Sequence, residues 1–174
     1  MTCLRSALMR SARGALVAFA LAVCQLTWAT PTSLPPARDL ATDAQSAEHS
    51  AIPLIVLVSL TGCPHCEAVR RSYLLPLLRD TVAAPTAVIR QVEINGRELL
   101  FDFNGSNITH AEFARHYQIK IAPVVLFFGG KGELLTDPLV GSMLADFYGA
   151  YFDAAFTEAK SKLRAAQPRV HPPI

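Results

Sequence analysis

The sequence predicts an α/β domain, a three-layer sandwich in which a mixed four-stranded sheet carries helices on both faces. Three observations predict it. First, Ile52 to Ser59 is a nearly unbroken apolar run, as expected of a strand buried on both faces, and it leads into a helix-like segment. Second, the elements alternate β-α-β-α-β-β-α, and a strand–helix–strand start implies a parallel pair with a right-handed crossover. Third, Gly129-Gly130-Lys131-Gly132 is a tight-turn signal between two strand-like runs, which implies a closing antiparallel hairpin.

The first helix is expected from about Pro64 to Asp80. Pro64 suits a first-turn position, where a missing N–H costs nothing. Pro76 lies inside the helix and should kink or shorten it. Thr86 to Ile94 reads as the second strand, with Val88, Ile89, Val92 and Ile94, followed by a polar loop from Asn95 to Ile108. Thr109-His110-Ala111-Glu112 is a capping box that opens a helix through about Tyr117. Val124 to Phe128 is the third strand, and Glu133 to Val140 returns as the fourth. Gly141-Ser142 then starts a helix from about Met143 to Arg164, whose Met143, Phe147, Tyr151, Ala154, Ala155 and Leu163 recur at helical spacing.

The domain is expected to occupy residues 51–165, enough for one hydrophobic core. Before it, Arg5, Arg10 and Arg13 precede an apolar stretch from Gly14 to Trp28, and Thr27-Trp28-Ala29 offers a cleavage point; residues 1–29 read as a secretory signal peptide. The apolar stretch is about 15 residues, short of the ~20 of a membrane span, although an uncleaved anchor is the alternative. Residues 30–50, rich in Pro, Ala, Thr and Ser, read as a flexible linker, and 166–174, with three prolines, as a flexible tail. Without the leader, the basic count falls from 16 to 13 against 14 acidic residues, so the net charge moves from +2 to −1. No basic patch remains to suggest a nucleic-acid partner. The cysteine count falls from 4 to 2, leaving Cys63 and Cys66.

Cys63-Pro64-His65-Cys66 stands where an apolar strand ends and a helix begins. A helix N-terminus carries partial positive charge and free N–H groups that stabilise a thiolate. A thiolate is the nucleophile of disulfide exchange, and a second cysteine one turn on can resolve the mixed disulfide. So short a loop constrains little chain entropy, so the pair is better explained by chemistry than by stapling.

These residues, with Ile121-Ala122-Pro123-Val124 and the hairpin-plus-helix finish, make the chain resemble the thioredoxin-fold family from about Ala51 to Arg164. Arg71-Ser72-Tyr73-Leu74-Leu75-Pro76-Leu77 and Asp146-Phe147-Tyr148-Gly149-Ala150-Tyr151 look like the exported thioredoxin-like proteins found with bacterial sulfur-oxidation systems. The resemblance implies a periplasmic thiol–disulfide oxidoreductase without a bound cofactor. Cys63 is the attacking thiolate, Cys66 the resolving thiol, and Pro64 and His65 tune the thiolate. Pro123 matches the family's cis-proline, which with Ala122 presents backbone to substrate. Implied partners are protein disulfide substrates and a membrane electron donor, and a monomer is expected. Leu57 departs from the pattern, since thioredoxins carry a buried Asp six residues before the first cysteine; acid–base help would come from water or a group such as Glu67 or His65. The Pro64-His65 pair is typical of strong periplasmic oxidants of the DsbA type. Those insert a helical domain before the cis-proline, whereas 57 positions separate Cys66 from Pro123 here.

Competing readings are weaker. Structural zinc wants four ligands, and there is no second C-x-x-C. Glu67 stands where haem attachment requires His. Asp102 to Asn107 mimics part of a calcium loop without its closing acid. Asn104-Gly105-Ser106 and Asn107-Ile108-Thr109 match glycosylation acceptors, which mean nothing if the host is a bacterium, as the leader and the family resemblance suggest. His110 and His116 read as surface helix residues. Of Phe127 and Phe128, one is expected in the core and the other under a helix; Tyr148 and Tyr151 are read as helix packing.

Overall fold

A computed structural model describes residues 32–80, 85–141 and 145–166. The signal-peptide reading, and the tail reading beyond Ala166, fall outside the described residues. Helix α1 spans Leu40–His49, strand β1 Leu54–Ser59 and helix α2 Pro64–Val69, which continues through a π-turn at Arg70–Leu74 into α3, Leu75–Asp80. Then come β2 (Val88–Glu93), β3 (Leu99–Phe101), β4 (Asn107–Thr109), α4 (His110–His116), β5 (Val124–Phe128), β6 (Leu139–Val140) and α5 (Ala145–Ala166).

The main sheet has the order β2-β1-β5-β6. β1 pairs parallel with β2, Leu54 opposite Val88 and Ser59 opposite Glu93. It pairs antiparallel with β5, Val58 opposite Val124, and β5 with β6. Every residue of β1 is buried, because the strand is central and both faces are covered. On one face Ile55, Leu57, Ile89, Val125 and Phe127 pack with Val69, Leu74, Phe152 and Leu163. On the other, Leu54, Val56, Val58, Leu126 and Phe128 pack with Leu40, Ala44 and Phe113. The mixed four-stranded sheet between helical layers is the expected one. Phe127 and Phe128 are both fully buried, on opposite faces.

The largest correction is residues 30–50. Residues 34–49 are part of the domain, not a flexible linker. Gln91 of β2 receives the Ala37 N–H on its carbonyl at 2.8 Å and donates its own N–H to Pro35 at 2.9 Å. Asp39 caps α1, accepting the Thr42 N–H at 2.9 Å. The helix buries Leu40, Ala44 and Ala47, a stripe at helical spacing built mainly of alanine.

Smaller differences have local causes. Pro76 does not shorten its helical segment, which reaches Asp80 as expected: the π-turn just before it gives the Leu75 N–H to the Arg70 carbonyl, and the chain resumes as α3. The polar loop contains the β3–β4 hairpin, turned by Asp102, whose Oδ1 accepts the N–H groups of Asn104 and Ser106. The fourth strand shrinks to Leu139–Val140, with Leu134 bridging to Phe128, because Pro138 has no N–H to pair. The capping box forms as expected, Thr109 with Glu112. In α5, Tyr148, Phe152, Ala155, Ala159 and Leu163 face the core, while Phe147 and Tyr151 are 62% and 56% exposed. His110 is not a surface residue but is buried at 2% exposure.

Candidate active site

The chain leaves β1 at Ser59 and turns at Leu60 to Cys63, the Cys63 N–H donating to the Leu60 carbonyl at 3.1 Å. Gly62 takes a left-handed φ of 75°, a conformation that favours glycine. Cys63 then caps α2: its sulfur accepts the Cys66 N–H at 3.1 Å, with Pro64 in the first turn. Cys63 and Cys66 are disulfide-bonded, their Cα atoms 5.3 Å apart. Cys66 is fully buried, Cys63 half-buried, and Pro64 and His65 are exposed. Cys63 is thus the accessible member of the pair and Cys66 the enclosed one.

The Ala122–Pro123 peptide bond is cis. Pro123 enters β5, and because Val124 stands opposite Val58, the proline lies at the same end of the sheet as the cysteine turn. Ala122 is half-buried and Pro123 buried, while neighbouring Ile121 is 57% exposed. Leu57 is fully buried beside Val69 and Leu74, so this strand position holds no acid.

Sequence reasoning missed a polar network on this end. Arg70 ion-pairs with Glu67, bonds the Ser59 hydroxyl at 3.1 Å and donates from Nε to the Gln91 Oε1 at 3.0 Å. The Gln91 amide donates to Glu93 Oε1 at 2.7 Å, and the Thr61 hydroxyl donates to Glu93 Oε2 at 3.3 Å. The network therefore grips both sides of the cysteine pair, at Thr61 before Cys63 and at Glu67 after Cys66. Burial raises the Glu67 carboxyl, but its bonds to Arg71 and Arg70 and their charge bring it below the ordinary value of 4.5. Beside Cys63 lies an open groove of about 460 Å³ bordered by Thr61, Gly62, Pro64, Glu67, Arg70 and Glu93. The available signal was parity: Ser59, Gln91 and Glu93 end the apolar runs on one sheet face, over which Arg70 reaches.

No family model and no curated protein matches the chain. Among solved structures it is similar to mitochondrial thioredoxin 3 from Saccharomyces cerevisiae, 13% identical over 69% of this chain and 94% of that one, TM-score 0.44. It is also similar to a thioredoxin-fold protein from Helicobacter pylori, 18% identical over 72% and 90%, TM-score 0.45. Fasciola hepatica thioredoxin gives 12% identity over 69% and 98%, TM-score 0.45. The decisive features are the chain's own: a parallel β1–β2 pair bridged by the C-x-x-C helix, antiparallel β5 and β6, and a covering α5. The fold is thioredoxin-like. A half-buried cysteine paired with a fully buried one at a helix N-terminus can accept two electrons as the disulfide and donate them as the dithiol, by disulfide exchange.

Proposed function

We propose that the protein is a periplasmic thiol–disulfide oxidoreductase that reduces disulfides of exported proteins. The observation that carries this is the asymmetry of the pair: Cys63 half-exposed at the helix cap, Cys66 fully buried behind it. In the reduced protein, the Cys63 thiolate attacks a client disulfide, whose S–S bond breaks as a mixed disulfide forms. The departing client thiolate takes up a proton. Cys66 then loses its proton to water and attacks the Cys63 sulfur, re-forming Cys63–Cys66 and releasing the second client thiolate, which is protonated in turn. Two electrons and two protons reach the client, and a membrane dithiol donor restores the protein. The leader-like residues 1–29 support export, and the segments 71–77 and 146–151 support kinship with the thioredoxin-like proteins of sulfur-oxidation systems. The protein works as a monomer, with Ala122 and cis-Pro123 presenting backbone to the client.

One observation favours a second reading. Pro64-His65 is the dipeptide of strong oxidants, and a histidine beside a cysteine thiolate stabilises the reduced form, favouring oxidase or isomerase work. The reduction potential separates them: about −270 mV supports the reductase, about −120 mV the oxidase. A Cys66→Ser variant tests exchange itself. It is expected to trap mixed disulfides through Cys63; a variant that traps none and loses bound metal instead would make the pair a ligand set.

A further inference from the structure

We propose that Glu93 is a specificity residue: the groove beside Cys63 selects client disulfides flanked by lysine or arginine. This rests on the exchange reading above and adds the class of client it takes.

The charges of the groove do not balance evenly. Glu67 is paired with both Arg70 and Arg71. Arg70 is spent on Glu67, Ser59 and Gln91. Among the described residues the Glu93 carboxylate has only neutral donors, the Gln91 amide at 2.7 Å and the Thr61 hydroxyl at 3.3 Å, and no cation pairs with it. These two bonds fix its orientation and leave lone pairs on both oxygens. Glu93 borders the same open groove as Cys63, and at Gly62, also on its border, a Cβ would meet nothing within 4 Å. Leu60, 39% exposed, and Pro64 add an apolar border against which the methylene stem of a lysine or arginine can lie. A client whose sulfur meets Cys63 places the residue next to its cysteine over this groove. A cation there gains a fixed carboxylate, whereas an acid meets repulsion.

The test uses two synthetic peptides, each closed by one disulfide and identical except for Lys or Glu beside the attacked cysteine. Each is reacted with the reduced protein in a single turnover, and each rate is divided by the same peptide's rate with dithiothreitol, which removes intrinsic reactivity. The lysine peptide is expected to react faster by on the order of fivefold at low salt, the upper range of one partly exposed ion pair. Added salt should shrink the ratio, Glu93→Gln should bring it towards one, and Glu93→Lys should invert it. Equal normalised rates in the unaltered protein would overturn the proposal even if neither variant folds, and leave exchange standing. A preference that survives Glu93→Gln would overturn the assignment to Glu93. Failure to react with either peptide and with a small neutral disulfide would overturn the exchange reading itself.

Discussion

The Nε2 of His110 lies 3.0 Å from the carbonyl oxygen of Ala37, 73 positions earlier in the chain. Its Nδ1 accepts the backbone N–H of Glu93 at 3.2 Å, so the ring's proton sits on Nε2 and is donated to Ala37. One buried side chain thereby ties the N-terminal segment, β2 and α4 together. His110→Ala would leave a cavity and two backbone groups without partners. We expect a loss of about 2–4 kcal/mol, read as a lower urea midpoint. An unchanged midpoint would show that the segment before α1 is held without this residue.

The same contact marks where sequence reading ran short. β1, β5, the cysteine turn and the capping box at Thr109 were legible because apolar runs and capping residues act locally. α1 was not, because its buried stripe is Leu40, Ala44 and Ala47: alanines carry little hydrophobic signal and sit among residues that resemble linker. His110 could not be placed inside without knowing that Ala37 would lie over it. In α5, Tyr148 and Phe152 face the core one position on from the exposed Phe147 and Tyr151, so two interleaved aromatic series shared the helical period and only packing chose between them. The pairing of Cys63 with Cys66 and the cis bond before Pro123 were legible from spacing and family resemblance. Arg70, Gln91 and Glu93 were not, because their network exists only once the parallel register sets Glu93 opposite Ser59.

The cap of α1 should make stability depend on pH in a defined window. The Thr42 backbone N–H, then its hydroxyl, hold the Asp39 carboxyl below its ordinary 3.8. With the folded value below the unfolded one, the charge-linked stability is fully present above about 3.8 and is lost as pH falls through the lower folded value. Asp39→Asn keeps a capping oxygen but cannot titrate. The unaltered protein should therefore have the higher urea midpoint near pH 5, and the gap to the variant should close as the pH drops below 3.8. A gap that stays constant across that range would show that Asp39 acts only as a hydrogen-bond acceptor.

Arg70, 17% exposed, carries the last prediction because two of its effects push Cys63 the same way. Arg70→Met removes a cation from the groove beside Cys63 and strips Glu67 of one of its two arginines, leaving more negative charge near the nucleophile. Both changes disfavour the thiolate, so in the reduced variant the Cys63 pKa should rise and the reduction potential should fall. Losing the bonds to Ser59 and Gln91 should also cost about 1–3 kcal/mol of stability. Arg70→Lys separates the two consequences. It restores the charge without the guanidinium fork, so the thiolate titration, followed by ultraviolet absorbance, should recover more than the urea midpoint does. If Arg70→Met lowers the midpoint and leaves the thiolate titration unmoved, Arg70 only fastens the helix to the sheet. If both move and lysine rescues only the titration, the charge of Arg70 also sets how readily Cys63 attacks.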